Sequence, residues 1–260
     1  MIMDPSLELK IRWRLQKPTE FLNDDLLLSV DTIYTPPPPL PTLHDEILNE
    51  PHTLVKKSIK TIEGIEKCLN LKYVDLSYNE IEDISPLSHL SKLTHLDLKM
   101  NFRITNIQPL ANLNQLRYLD ISHNQIHDIS SLDKLLNLET LYIDHNPITD
   151  ISVVSNFKLL ERLRAFDTNI EEITALSQLK NLQYIQLSNC NISNINPLQG
   201  LIEIHLLSVS YNNIEDISPL INNTGIAKGD TVYLAGNPLN QLSINSYIPI
   251  LKARGATVFY

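Results

Sequence analysis

The stretch LKYVDLSYNEIEDISPLSHLSK, residues 71–92, decides the fold because the rest of the chain repeats its pattern. Displacing the sequence by about 22 residues brings apolar residues onto apolar residues. One apolar column is formed by Val74, Leu96, Leu119, Leu141, Leu163, Ile185 and Leu207. A polar column follows and is formed by Asn79, Asn101, Asn124, Asn146, Thr168, Cys190, Asn212 and Asn237. A fixed short period of this kind predicts a stack of similar coils.

Each copy divides into a strand and a short return. The segment Tyr73–Ser77 alternates apolar and polar residues, which predicts a short parallel strand. The return, as in Asp83–Leu90, is brief and often contains proline, which favours a 3₁₀ turn over an α-helix. We expect about nine strands, including a weak one near Leu54 and one at Val232. At about 4.8 Å per strand the sheet would be roughly 40 Å long and gently curved.

The two ends depart from the repeat. Asp4–Gln16 predicts an amphipathic helix capped by Asp4 and Pro5, and Asn23–Val30 predicts another turn or two. The proline-rich segment 35–41 predicts polyproline II, either as a stiff loop or as a ligand for a proline-binding domain. Ser246, Ile250 and Leu251 suggest a closing helix, followed by an edge strand over 255–260. The expected domains are an N-terminal cap over 1–52, repeats over 53–239 and a C-terminal cap over 240–260.

Composition limits the function classes. The net charge of −9 argues against nucleic acid or anionic membranes as partners and is compatible with a basic one. Cys68 and Cys190 lie five to six coils apart, too far for a disulfide. No apolar run is long enough for membrane insertion, and the N-terminus lacks signal-peptide features. We therefore expect a cytoplasmic monomer; secretion or surface exposure is the alternative if a signal has been removed.

The repeat motif N-x-I-x-D-I-x-P-L-x-x-L resembles that of the internalin family and of the phosphatase-regulating leucine-rich-repeat subunits of eukaryotes. The opening DPSLELKIRWRLQKP and the ending NPLNQLSINSYIPILKARGATV are similar to the caps of bacterial leucine-rich-repeat proteins. The resemblance implies an α/β fold: a right-handed leucine-rich-repeat solenoid with a parallel concave sheet, convex 3₁₀ turns, a helical N-cap and a helix–strand C-cap. It also implies protein binding through the concave sheet and no catalysis.

Two polar columns have structural interpretations. The asparagine column should link the backbones of adjacent coils, with Thr168 and Cys190 as its weakest members. The second column should cap the returning turns and consists of Asp83, Asn106, Asp128, Asp150, Glu172, Asn194 and Asp216.

The strand residues that face away from the core are the candidate binding residues. Because strand side chains alternate, these residues share one continuous face. The face is rich in Tyr, His and Phe, a composition favoured in interfaces. The predicted partner contacts are Tyr73, Asp75, His95, Asp97, Tyr118, Asp120, His123, Tyr142, Asp144, His145, Arg162, Arg164, Phe166, Tyr184 and Tyr211. We expect the strongest contacts on the middle coils, around Tyr118, Tyr142, Arg164, Phe166 and Tyr184.

Two features of that face have open interpretations. Asp75, Asp97 and Asp120 form a row that either meets a basic partner or is a solvated consensus feature of the repeat. His123 and His145 occupy one column near Asp120 and Asp144, a set chemically able to hold zinc. Exposed histidines are common on binding faces, so the sequence predicts no metal and no cofactor.

The sequence lacks a nucleophile elbow, a glycine-rich phosphate loop and a paired CxxC motif, and an open sheet offers no pocket that excludes water. We therefore predict a non-catalytic module that binds another protein on the concave face. The alternative is a regulatory subunit of an enzyme such as a protein phosphatase.

Overall fold

The computed structural model describes residues 4–16, 22–33 and 58–260. Within them, ten strands form one parallel sheet whose spatial order follows the chain. The first is β1, Thr32–Ile33, and the second is β2, Tyr73–Asp75. The others are β3 (His95–Asp97), β4 (Tyr118–Asp120), β5 (Thr140–Tyr142), β6 (Arg162–Arg164), β7 (Tyr184–Gln186), β8 (Leu206–Ser208), β9 (Thr231–Tyr233) and β10 (Thr257–Phe259). The described residues therefore form the expected solenoid of stacked coils with one parallel sheet.

Strand register follows the repeat without slippage. Val74 lies opposite Leu96, and Leu96 lies opposite Leu119, so the apolar column of the sequence becomes a buried column in the sheet. The residues on either side of each core position face the other way and are mostly partly exposed. This alternation fixes which side chains the concave face presents.

The returns are 3₁₀ turns, as the prolines and short lengths predicted. They span Ile65–Lys67, Ser85–His89, Gln108–Leu110, Ser130–Leu132, Ser152–Asn156, Thr174–Gln178 and Asn196–Leu198. The last full return, which carries three extra residues, instead forms the short α-helix α3, Ser218–Asn222. Six members of the capping column accept a hydrogen bond from the amide two residues later: Asp83, Asn106, Asp128, Asp150, Asn194 and Asp216.

The N-terminal segment covers the first coil. Helix α1 spans Pro5–Leu15, and Asp4 caps it by accepting hydrogen bonds from the next amides. Helix α2 spans Asp24–Leu28. Strand β1 then pairs directly with β2, so residues 32–33 supply the strand beside Tyr73–Asp75. The strand predicted near Leu54 and the proline-rich segment 35–41 lie outside the described residues.

The C-terminal segment closes the other end. A π-helical turn over Ser243–Tyr247 leads into helix α4, Ile248–Ala253, and β10 adds the last strand. The predicted helix is present and Leu251 is buried in the core, but Ile250 is 41% exposed, and the second buried residue of the helix is Ile248. Among the described residues, no helix has the length and apolar character needed to cross a bilayer.

The asparagine column forms a buried ladder between coils. Asn146 shows the pattern: its Oδ1 accepts from the Ile126 amide at 2.9 Å, and its Nδ2 donates to the Ile121 and Ile143 carbonyls. Asn79, Asn101, Asn212 and Asn237 likewise accept from an amide of the preceding coil. Because these amides and carbonyls are buried, each ladder residue satisfies groups that water cannot reach.

The ladder is incomplete at three coils. Thr168 donates only to the Ala165 carbonyl and contacts Cys190 Sγ at 3.2 Å, so neither residue supplies the amide-accepting bond. Asn124 Oδ1 is buried without a hydrogen-bond partner in the part of the chain described. Its coil follows the extra residue at Phe102–Arg103, which interrupts the repeat where the accepting bond would form.

The residue before each ladder position adopts a left-handed backbone. Positive φ angles of 52–57° occur at Tyr78, Met100, His123, His145, Asp167, Asn189 and Tyr211. This conformation is uncommon for residues with a Cβ atom, and the alternating sequence pattern gave no sign of it. The turn directs these side chains to the edge of the concave face, where the two histidines come together.

Candidate functional site

The concave face consists of the outward side chains of β2–β9 and of the turn residues that follow them. Tyr73, Tyr118, Tyr142 and Tyr184 are all partly exposed on it, outside the apolar core. Tyr211 lies at its edge with 65% of its surface exposed. The face divides into four local arrangements with different contacts.

The first arrangement is the aromatic row, formed by Tyr73, His95 and Tyr118. Their rings stack in parallel, with centroid separations of 4.1 and 3.9 Å and interplanar angles of 9° and 7°. Tyr142 meets the end of the row edge-on, 5.7 Å from the Tyr118 centroid. In-register parallel strands place equivalent residues one strand spacing apart, so the register itself creates the stack.

The second arrangement is the row of aspartates beside these rings. Asp75 and Asp120 are buried and each accepts hydrogen bonds from the amide and hydroxyl of a serine two residues later. Asp97 is partly exposed and accepts from the Lys99 amide at 2.9 Å. None of the ion pairs among the described residues includes Asp97. Asp97 is therefore the carboxylate of this row that remains available to a partner.

Burial and the neighbouring acids change the ionisation of this row. Burial, together with the charges of Asp120 and Asp75, raises the pKa of Asp97 to about 7. Burial also raises the pKa of Asp120. At the end of the row, burial lowers the pKa of Lys10 to about 8, although the nearby Asp75 opposes that change. Asp97 thus changes charge near neutral pH, within reach of the aromatic row.

The third arrangement is centred on Arg164. Its guanidinium pairs with Asp144 through Nε and with Asp120 Oδ2 at 3.3 Å, while its carbon Cζ lies 4.0 Å from the Tyr142 ring centroid. Asp144 and Asp120 have side-chain exposures of 1% and 4%. Burial raises the pKa of Asp144, and Arg164 opposes this shift. Arg164 therefore pairs with two buried carboxylates, and its guanidinium also covers the ring of Tyr142.

The fourth arrangement is the histidine pair, His123 and His145. Their rings stack with centroids 3.9 Å apart, and His145 meets the edge of the Phe166 ring at 5.0 Å. His123 Nε2 lies 3.9 Å from Asp144 Oδ2, and His145 Nε2 lies 3.3 Å from Asp167 Oδ2. Burial and the His145 charge lower the pKa of His123.

The C-terminal coils present a different surface. Gln186 and the hydrogen-bonded pair Ser188–Ser208, with hydroxyls 2.7 Å apart, replace the acidic row. Arg162 is exposed and stacks over Tyr184 at 4.0 Å. The acidic row is thus limited to β2–β4, whereas aromatic side chains also occur on the C-terminal coils, where Tyr233 stacks on Phe259 with centroids 4.9 Å apart.

The predicted contacts fall into a buried group and a group whose residues are at least partly exposed. Asp75, Asp120 and Asp144 are buried and hydrogen-bonded within the chain, so we now assign them a supporting role. The sequence missed the pairing of Arg164 with Asp144 and Asp120 because these residues are 20 and 44 positions apart. The repeat register could have shown it, since the three residues lie in neighbouring outward columns.

Comparisons with known proteins agree with the fold. A family model described as leucine-rich repeats matches residues 69–112 and 114–156, and a second leucine-rich-repeat model matches 181–201. Internalin C2 from Listeria monocytogenes strain 4b F2365 is 28% identical, with a TM-score of 0.75 over 85% of this chain and 90% of that one. No match is found among curated proteins.

Two further solved structures share the fold at lower identity. A leucine-rich-repeat protein of Leptospira interrogans is 21% identical, with a TM-score of 0.71 over 78% of this chain and 52% of that one. The ectodomain of an Arabidopsis thaliana receptor kinase is 23% identical, with a TM-score of 0.65 over 76% and 25%. The chain therefore contains leucine-rich repeats and has an internalin-like fold, which fits the expected right-handed solenoid. Leucine-rich-repeat domains are generally protein–protein interaction modules and typically lack catalytic activity.

Proposed function

We propose that the chain is a non-catalytic module that binds another protein on the concave face, with the main contacts at the aromatic row and Asp97. The observation that supports this most directly is the combination of three stacked, partly exposed rings with an adjacent carboxylate that has no ion pair within the described residues. Aromatic side chains dominate the energetics of protein interfaces. A carboxylate beside them adds a preference for one charge.

The partner that fits this surface presents a basic side chain. A lysine or arginine could pair with Asp97 while its aliphatic part or guanidinium lies over the Tyr73–His95–Tyr118 stack. The chain's overall charge of −9 would also attract a basic partner over a longer range. Arg164 is less suited to direct contact than the sequence suggested, because its guanidinium is already paired on two sides.

The sheet is suited to binding before any partner arrives. Its outward side chains are held by in-register strands and, in β2–β6, by stacked rings and hydrogen bonds. A surface that is already ordered loses little conformational entropy on association. We therefore expect the binding residues to keep their positions in the complex.

The test is affinity capture from native lysate followed by binding of the purified partner. The double variant Asp97→Asn with Tyr118→Ala should reduce affinity for the captured protein by at least about tenfold, and the loss should diminish at high salt. The matched control is Asp133→Asn with Tyr260→Ala, because both residues are exposed and lie away from the concave face. Equal capture by the parent, the double variant and the control would contradict the proposal.

The alternative function, regulation of an enzyme, predicts an additional result. If the captured partner is an enzyme such as a phosphatase, its activity should change when the parent chain is added and should not change with the double variant. If the captured partner has no enzymatic activity, the regulatory alternative is excluded and the interaction module is the remaining function.

A further inference from the structure

We propose that His123, His145 and Asp144 form a binding site for a zinc-class divalent metal ion at the edge of the concave face. The two histidines occupy the same turn position on successive coils, and Asp144 immediately precedes His145. One donor atom from each of the three residues lies within 4.8 Å of the others. This is the one group of three possible ligands that the described residues bring so close together.

The donor chemistry fits zinc. Two imidazole nitrogens and one carboxylate oxygen are a common zinc ligand set, with a fourth position left for water or another donor. Imidazole ligands also favour the later first-row divalent ions over magnesium or calcium, which prefer oxygen. Among the zinc-class ions, zinc is the expected occupant because a mixed nitrogen and oxygen set suits its tetrahedral coordination.

A network of neighbouring residues holds the carboxylate in place. Arg164 Nε binds Asp144 Oδ1, which leaves Oδ2 directed toward His123 Nε2 at 3.9 Å. Hydrogen bonds of this kind orient ligands around metal ions. The positive charge of Arg164 is shared with Asp120 at 3.3 Å, which reduces its repulsion of a cation. On the other side, Asp167 places a second carboxylate 3.3 Å from His145.

Only small side-chain movements are needed to bind the ion. Zinc bonds of about 2.0–2.1 Å in a tetrahedron require donor atoms about 3.3 Å apart. Asp144 is 1% exposed and fixed, but the histidine side chains are 22% and 35% exposed and can rotate toward it. The sheet register holds their backbones in neighbouring coils, so rotation alone can close the remaining distance.

These contacts go beyond what sequence spacing could indicate. Spacing alone left the histidines as ordinary exposed residues of a binding face. The structure adds a buried, oriented carboxylate directed toward one of them, and this is the independent observation that favours a ligand. The site is also separate from the aromatic row and Asp97, so metal binding and partner binding can be tested independently.

The experiment is calorimetric titration of the full chain with Zn²⁺ alone, combined with histidine ring NMR. We expect one ion per chain and selective shifts of the His123 and His145 ring signals among the eight histidines. His123→Ala and His145→Ala should each weaken affinity by about tenfold or more, and Asp144→Asn should also weaken it while keeping an acceptor for Arg164. Circular dichroism of each variant would show that it remains folded. His145→Gln is a second variant at the same position and should also weaken Zn²⁺ binding.

The matched control is His205→Ala. His205 also faces an aspartate, with Nδ1 3.1 Å from Asp230 Oδ1, but among the described residues no second histidine joins that pair. Its replacement should leave Zn²⁺ affinity unchanged. The proposal fails if the parent shows no saturable binding, or if binding persists at parental affinity in His123→Ala and His145→Ala. Because no partner protein is present, either result is independent of the proposed function.

Discussion

The buried side of the coils and their concave face differ in how closely they follow the repeat. On the buried side, one solution recurs: leucine and isoleucine columns fill the core, and asparagines join neighbouring coils. On the concave face, each coil presents different residues, and the ion pairs form between side chains of different coils. Arg164 of β6 reaches Asp144 and Asp120 of earlier coils, and no single repeat contains that network.

The difference assigns stability and recognition to different columns. A buried column must repeat, because each coil packs on the next through the same surface. The concave column is free to vary, because its side chains need only remain compatible with water or with a partner. The Arg164 network is the exception, since it places buried charge on the variable side and makes part of that face structurally essential.

The largest expected effect is that of Arg164→Ala. Removing the guanidinium would leave Asp144 and Asp120 buried without a cationic partner, which should lower the free energy of unfolding by about 3 kcal/mol at neutral pH. Burial already raises the pKa of both carboxyl groups, so the loss should shrink in acid as they become neutral. Urea unfolding at neutral and acidic pH measures both effects.

Arg162→Ala is the matched control for that measurement. Arg162 lies two residues earlier on the same strand, is exposed, and stacks on Tyr184 at 4.0 Å. Its replacement should cost less than about 1 kcal/mol and should show little pH dependence. Equal losses for the two arginines would mean that the buried ion pair contributes nothing special.

The next effect tests the buried side. Asn146→Ala should lower the free energy of unfolding by about 2 kcal/mol, because the Ile126 amide and two carbonyls would lose buried partners. Thr168→Asn should have the opposite sign and add about 1 kcal/mol, because it restores an acceptor for the preceding coil where the ladder is interrupted.

Thermal unfolding of the parent and these two variants provides the comparison. Gln125→Ala, an exposed substitution next to the ladder, is a suitable control with little expected change. If Thr168→Asn destabilised the chain, the interpretation of the ladder as a series of interchangeable positions would have to be abandoned.

The sequence predicted the buried side almost completely and the concave face only as a set of candidates. Core columns and 3₁₀ turns follow from the repeat, because burial imposes the same choice at every coil. The end helices lie outside the repeat and follow from their own capping residues and apolar spacing. The pairing of Thr32–Ile33 with β2 could not be foreseen, since it joins residues separated by about 40 positions outside the regular period. Likewise, Asp75, Asp97 and Asp120 look alike in the sequence, and only their surroundings show that Asp97 alone is partly exposed.

The smallest expected effect concerns Asp97→Asn and has a definite sign. The folded-state pKa of about 7 lies above the ordinary value of 3.8, so between these values the folded chain holds a proton that the unfolded chain has released. The parent should therefore lose stability as pH rises from about 4 to 8, by about 1 kcal/mol after allowance for solvent screening. The Asp97→Asn variant has no titrating group at this position, so its free energy of unfolding should fall less over the same pH range. Parallel pH profiles for parent and variant, measured by urea unfolding, would show that Asp97 is an ordinary solvated carboxylate. That outcome would also remove the reason to expect Asp97 to change charge near neutral pH.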